Sequence, residues 1–330
     1  MTALRLMMGF LLVCTAIQAA PKLSVVIQEP WSDVFGGKEA VFHVVISSRE
    51  ATRGRVVWRY AAGGKTIARQ EREVSIAPSR PESVVILLPV PEVKEGVILS
   101  TMLSVSMIEN GALQATVTLE KTLWVFPPDP FAGRQEWLKG LNLYLFDPEE
   151  KTAQRFKKAH IPFQCVPNYD ALSNIRNGLV MIGEGISFKD YRGLWNQLMV
   201  MASNGVSVLC LAPAEGSLRL LAPDDPAWPA PAGMKLEQTV FIRRLDKRLD
   251  ADAWPPDGVI CARTFVVRGE RGAVVSEIAP AASGAWSWIE IEGHLPRGRL
   301  IVCCFAMVEK WEVSPAPRFL LERILQYMSE

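Results

Sequence analysis

Three prolines fall within five residues at 127–131 (PPDPF), and the spacing of apolar residues changes across them. Proline fixes φ and lacks an N–H, so this run neither extends a sheet nor sits inside a long helix, and it stiffens the joint. Upstream, from Lys22 to Phe126, short strand-like runs such as LSVVIQ, AVFHVVISS and ILSTMLSVSMIEN lie between turn signals, with apolar and polar residues alternating in LSVSM of the last. Downstream, from Gly140, runs such as LNLYLF and VSVLCLAP are predominantly apolar without clean alternation and are separated by stretches of helical spacing. Two periods in one chain imply two folding units, and 330 residues suffice for two domains of about 100–200 residues each.

Charge narrows the partners. Thirty-six basic residues against 35 acidic leave a net charge of +1. A broad docking surface for nucleic acid or anionic lipid needs a one-signed field, so neither is expected as a partner. With 49% hydrophobic and 22% charged residues, most of the chain is expected to be ordered.

The first 20 residues, MTALRLMMGFLLVCTAIQAA, have one early positive charge at Arg5, an apolar run from Leu6 to Val13 and a small-residue exit. This is the layout of a secretory signal peptide. The apolar run is shorter than the roughly 20 residues of a spanning helix. Val13 stands where a lipid-modified Cys14 would want a small residue, which argues against a lipoprotein. The expectation is a secreted or periplasmic protein that does not span the membrane once the signal is cleaved.

Export makes the cysteines informative. Beyond Cys14 stand Cys165, Cys210, Cys261, Cys303 and Cys304, an odd number without CxxC spacing and in apolar contexts. They read as small buried hydrophobes, with one incidental disulfide left open. His43, His160 and His294 are isolated in sequence, so no metal site and no cofactor are expected.

Residues 21–126 carry about seven short strands with turn signals between them, the pattern of an immunoglobulin-like β-sandwich. Asn110-Gly111 between alternating runs predicts a tight hairpin with positive φ at both positions. Ala62-Gly63-Gly64-Lys65 predicts another; AAGGKT lacks the spacing of a phosphate loop. Trp58 stands in for the missing disulfide as core aromatic. Residues 127–139 read as a linker.

In residues 140–330, LNLYLF predicts a strand buried on both faces. Asp147 then reads as an N-cap, with Pro148 at the first helical position and Glu149 and Glu150 in the first turn. Strands are expected at 163–166, 178–183 and 206–213, with a helix over 190–202. Residues 214–258, rich in Pro, Trp and Asp, read as an inserted loop. Further strands are expected at 259–267, 273–279, 286–292 and 299–307, and Ser314 should cap a last helix over 315–328. Alternating strand and helix predict a parallel sheet with helices on both faces.

The pieces LYLFDPEEKTAQRFKKAHIPFQCV, GLVMIGEGIS, NGVSVLCLAPAEG and GRLIVCCFAMVEKWEVSPAPRFLLERILQYM resemble the glutamine-amidotransferase-like, flavodoxin-like domains attached to secreted glycoside hydrolases. The trimerisation-type domain of some β-galactosidases is similar. The resemblance implies a three-layer α/β fold over 140–330 and a setting in polysaccharide processing. Active members of that class carry a Cys on a sharp strand-to-helix elbow, with a His and a Glu downstream. Here the matching elbow follows Leu211, reads APAEGSL and holds no Cys, and His294 sits in a turn-like EGHLPRG. No catalytic residue is therefore assigned.

Two candidate sites remain. Asp147, Glu184 and Glu215 each follow a strand at the carboxyl edge of the expected sheet, where ligands gather. They could act as acid and base, or bind a cation or sugar hydroxyls; the plainer alternative is a helix cap and two solvated loop charges. Trp286 and Trp288, on one strand face by period two, could form a sugar-stacking platform if that face is open; otherwise they pack inside. Arg243, Arg244, Lys247 and Arg248 are offset by Asp246, Asp250 and Asp252 and read as a solvated face. The function expected is a non-catalytic accessory or assembly module linked to polysaccharide processing. A glycan hydrolase using the three carboxylates and a structural envelope protein are the alternatives. Expected partners are a glycan, a carbohydrate-active enzyme or a second copy of the chain.

Overall fold

The computed structural model describes residues 22–215, 217–219, 231–268, 276–277 and 285–330. The leader expected in residues 1–20 lies outside them.

Eight strands precede the prolines: Leu23–Ile27 (β1), Asp33–Phe35 (β2), Glu39–Ser48 (β3), Thr52–Ala62 (β4), Lys65–Ile76 (β5), Glu82–Pro89 (β6), Leu99–Glu109 (β7) and Val117–Phe126 (β8). They form two sheets, ordered β1-β3-β6 and β2-β8-β7-β4-β5. Only β2 and β8 pair in parallel. Alternation turns one face of each sheet inward. Phe42, Val44 and Ile46 of β3 and Val84, Ile86 and Leu88 of β6 meet Val56, Trp58 and Tyr60 of β4 and Leu103, Val105 and Met107 of β7 in one core. Each such side chain contributes about 1.5–3 kcal/mol by leaving water. The result is an immunoglobulin-like β-sandwich with Trp58 in its core.

The two expected turns differ. Gly63 and Gly64 take φ of 52° and 80° and close β4 onto β5 in the tight form. At Asn110-Gly111 only Gly111 has positive φ, and β8 starts its pairing at Val117 opposite Met107. A wider loop replaces the expected two-residue turn. Ala112 N–H and Thr116 N–H close it onto the Glu109 and Met107 carbonyls.

The proline segment is no free linker. Phe131 is fully buried in the core of the second half, and Gln135–Gly140 is a short helix (α1) inside the range expected as linker. After it come Leu143–Phe146 (β9), Lys151–Lys158 (α2), Gln164–Cys165 (β10), a 3-10 turn at Tyr169–Asn174, Leu179–Ile182 (β11), Leu194–Ser203 (α3), Ser207–Leu211 (β12) and Ser217–Arg219 (β13). Then follow Gly233–Glu237 (β14), Val240–Leu245 (α4), Phe265–Arg268 (β15), Ser276–Glu277 (β16), Ala285–Trp286 (β17), Trp288–Glu292 (β18), Arg299–Cys303 (β19) and Pro315–Ser329 (α5).

Eight of these strands form one mixed sheet, ordered β10-β9-β11-β12-β19-β18-β14-β16, and β13-β15-β17 form a small second one. Parallel pairing runs from β10 to β19, but β18 is antiparallel to both β19 and β14. The wholly parallel sheet expected from the sequence is thus corrected. The connection 293–298 between β18 and β19 has room for a turn and none for a crossover helix, which parallel neighbours require. The loop expected over 214–258 is corrected too, since β14 lies inside the large sheet and Trp254 is fully buried. Its MKLE core is too short to stand out among the surrounding Pro and Asp.

Apolar clusters cover both faces of the large sheet. On one, Leu143, Leu145, Leu209, Ile301 and Trp288 pack against Phe156 of α2, Phe241 of α4 and Leu320, Ile324 and Leu325 of α5. On the other, Val180, Val208, Cys210, Val302 and Ile289 pack against Leu194, Leu198 and Met201 of α3. Strands covered on both faces need no polar alternation, which is why β9, β11 and β12 read as continuous apolar runs.

The halves share this packing. Phe126 of β8 lies 4.8 Å from Phe319 of α5, ring centre to ring centre. Arg318 of α5 donates to the Pro128 and Trp311 carbonyls and lies over the Phe35 ring. Ser32 donates through its N–H and its hydroxyl to Asp250 Oδ2, both at 2.7 Å. The Asp250 N–H in turn donates to Asp33 Oδ2 at 2.8 Å. Burial, and then the neighbouring Asp250 charge, push the Asp33 carboxyl well above the usual carboxylate range.

Candidate cleft at the sheet edge

The carboxyl ends of β9, β11 and β12 deliver Asp147, Glu184 and Ala212 to one region, because the register aligns Phe146, Ile182 and Cys210 across the three strands. Asp147 is buried, and its Oδ2 accepts the Ala153 N–H at 2.8 Å. It thus ties down the first turn of α2, which begins three residues later than Pro148-Glu149-Glu150 suggested. Glu150, at φ 56°, is the residue before the helix, and its N–H closes a turn onto the Asp147 carbonyl. Burial raises the Asp147 carboxyl, against the hydrogen bonds from Ala153 and Thr152. Gly183 follows β11 because a Cβ there would come within 2.6 Å of Asp147 Oδ1.

Glu184 is half-buried and reaches across to the turn after β19. The Val308 N–H donates to its Oε2 at 2.6 Å and the Glu309 N–H to its Oε1 at 2.9 Å. Burial pushes its carboxyl up to about 7, with those two hydrogen bonds opposing the rise. Glu215 stands apart from the cleft lining. It accepts from the Ser187 hydroxyl at 2.7 Å, the Phe188 N–H at 2.9 Å and the Lys189 N–H at 3.1 Å. Burial opposes its charge, but these donors outweigh it and hold the carboxyl below its usual value. All three acids therefore accept from the backbone, and of the three only Glu184 lines the cleft, while Asp147 fastens the first turn of α2 and Glu215 a neighbouring loop.

Above Glu184 lies a cleft of about 510 Å³, lined by Lys151, Gln154, Arg155 and Lys158 of α2, by Gly185 and Ala212, and by Ala262, Arg263, Val308 and Glu309. A volume between about 300 and 1,000 Å³ is ordinary for a small-molecule site. Ala212 has φ 31°, a left-handed conformation for a residue that bears a Cβ. Such backbone costs about 1–3 kcal/mol and persists only where its surroundings enforce it. Two contacts do so: the Ala212 N–H donates to the Cys303 carbonyl at 2.6 Å, and the Ala212 carbonyl accepts from the Gly185 N–H at 3.0 Å. Composition and spacing give no sign of this strain; the resemblance alone marks APAEGSL as an elbow.

The expected tryptophan platform is overturned. Trp286 and Trp288 are 2% and 0% exposed. They belong to different sheets and to the two opposite cores. The strand breaks at Ser287, whose N–H pairs with the Glu237 carbonyl, and period two is lost across the break. Trp288 stacks on Phe241 with ring centres 3.8 Å apart. Neither ring is open to a sugar.

The cysteines also divide. Cys210, Cys303 and Cys304 are buried, Cys261 is partly so, and Cys165 on the edge strand β10 is exposed, against the expectation that all five lie inside. Burial pushes the Cys210 and Cys303 thiols far up, so they stay protonated. Among the described residues no group of three or more His, Cys, Asp and Glu gathers to hold a metal, and no helix is long and apolar enough to cross a membrane.

No protein-family model matches the sequence, and no curated protein does. Solved structures match over about a third of the chain. The fibronectin(III)-like modules of Clostridium thermocellum CbhA align at 15% identity over 32% of this chain and 98% of theirs, with a TM-score of 0.21. The CARDB domain of the PF1109 protein from Pyrococcus furiosus aligns at 17% identity over 32% of this chain and 89% of its own, with a TM-score of 0.23. At such scores the β-sandwich rests on its own strand pairings.

Proposed function

We propose that this chain is an exported, non-catalytic accessory module linked to polysaccharide processing. Its sandwich serves interaction, and its second half is a three-layer, flavodoxin-like relative of the glutamine amidotransferases that has lost their chemistry. The single observation that carries this reading is Ala212. It stands at the end of a central strand, strained and facing the cleft, where the resembled enzymes carry their nucleophilic Cys. A methyl group there has nothing to donate or attack with. The nearest thiol in sequence, Cys210, is buried and protonated, and none of His43, His160 and His294 lines the cleft. Loss of nucleophile and base together leaves a strained elbow, a cleft and no reaction.

One observation favours the alternative of a glycan hydrolase: Glu184 titrates near 7 at the cleft, as a general acid would. Against it, both Glu184 oxygens are taken by backbone N–H groups and Glu215 lies outside the cleft lining. The test is a panel of amide and glycoside substrates run alongside a glycan array and light scattering of the purified protein. The reading expects no turnover, with binding to a glycan or self-association. Turnover that disappears in Glu184→Gln would establish the hydrolase instead.

A further inference from the structure

We propose that the cleft binds a short acidic oligosaccharide whose carboxylates lie along the basic face of α2; the choice of a saccharide rests on the polysaccharide-linked reading above. Helical spacing builds that face. Thr152, Ala153 and Phe156 turn inward, which leaves Lys151, Gln154, Arg155 and Lys158 along the cleft wall. Their charges are stepped roughly 5 Å apart along the axis, about one turn. Successive acidic sugars in a chain present carboxylates at a similar interval.

Arg263 adds a fourth cation, so the cleft lining mixes four cations with Glu184 and Glu309. Two of the four are already engaged, Lys151 with Glu149 at 2.6 Å and Arg155 with Glu312 at 2.7 Å. Lys158 and Arg263 are exposed, come to the lining from separate segments, and have no ion-pair partner among the described residues. They are the pair that a ligand would bridge.

The mixture of charges selects among anions. A compact anion such as phosphate, which keeps one or two hydroxyl donors near neutral pH, would meet the cations but reach few of the lining groups at once. A uronic acid carries a carboxylate for the cations and hydroxyl donors for the exposed Glu309. Among the described residues the lining holds no aromatic ring, so they offer a neutral sugar no stacking surface. Burial of Glu184 keeps part of its population neutral near pH 7, which lessens repulsion of an incoming anion.

Calorimetric titration of the full chain tests this with three probes: trigalacturonate, its methyl ester as the uncharged match, and inorganic phosphate. Trigalacturonate is expected to bind, the ester at least tenfold more weakly, and added salt to weaken the acid selectively. Lys158→Glu and Arg263→Glu, both at exposed positions, are each expected to lower affinity for the acid at least tenfold without shifting Tm. Equal binding of acid and ester, no binding of the acid, or phosphate binding as tightly as the trimer would each overturn the proposal. Turnover of an amide or glycoside with acid binding intact would remove the non-catalytic reading and leave this one. An inert protein that ignores the acid would do the reverse.

Discussion

The outer sheet of the sandwich and the eight-stranded sheet behind the prolines meet water differently. The β1-β3-β6 sheet is covered on one face only, and Val26, Val41, Val85 and Leu87 remain 43–53% exposed on the other. On its outward face Val41 stands opposite Leu87, and next to them His43, paired with Glu29, stands opposite Val85. The eight-stranded sheet carries a cluster on each face, and β11 and β12 are buried at every position. In the first sheet a substitution is felt according to its parity along the strand. In the second, parity decides only which core is damaged.

Trp288 sets the upper bound on that contrast. It is fully buried, stacked between Phe241 and Phe305, and sits on the face opposite to Trp286. Trp288→Ala is expected to cost about 3–5 kcal/mol, and Trp286→Ala a similar amount from the other core. Urea unfolding measures both. A Trp288→Ala variant of wild-type stability that had lost glycan binding would break the comparison, because it would mean an open ring.

Next in size is the elbow. At φ 31°, Ala212 is held where a β-branched residue fits worst. Ala212→Val is expected to cost about 2–3 kcal/mol, from strain and overpacking together. Ala212→Gly, which removes the Cβ, should stay near wild type, since relief of strain offsets lost packing and the added freedom of the unfolded chain. Thermal melts of the pair separate strain from volume. Equal losses in both variants would mean that this bend is not strained.

These two sites also mark what the sequence could and could not convey. Alternation located the sandwich, and continuous apolar runs located β9, β11 and β12, because both patterns follow from which faces are covered. The same logic failed at Trp286 and Trp288, where a break at Ser287 between two short strands resets the period. It failed at β14, whose five residues are hidden in a segment dominated by Pro, Trp and Asp. Asp147 and Glu184 were legible as acids at strand ends. Their hydrogen-bond partners were not, since Val308 and Glu309 approach Glu184 only through the tertiary fold. Nor was the row on α2 read as a cleft wall, although its spacing was present in KTAQRFKK.

The joint between the halves responds to pH. Asp33 is raised above the unfolded carboxylate range, so its contribution to stability is greatest at low pH and falls as pH rises toward its folded value. Glu184 acts in the same direction between its ordinary 4.5 and about 7. Asp33→Asn keeps an oxygen for the Asp250 N–H and removes the buried charge. It should become progressively more stable relative to wild type as pH rises above the ordinary carboxylate range and flatten the profile, with a residual slope from Glu184. Denaturation curves at several pH values check this; an unchanged slope would mean that Asp33 stays ionised.

The smallest effect belongs to the open face. Leu87 points away from the sandwich core between Ile86 and Leu88, which are both fully buried. Leu87→Thr keeps a residue that favours strands and removes apolar surface that the isolated chain leaves in water, so stability should change by no more than about 0.5 kcal/mol. Ile86→Thr, one residue earlier, places a hydroxyl in the core and should cost several times more. Side-by-side urea titrations at two protein concentrations read the difference. A loss above about 2 kcal/mol for Leu87→Thr that grows with concentration would mean that a second copy covers this face in solution. The parity rule for the outer sheet would then give way to the two-faced burial seen behind the prolines.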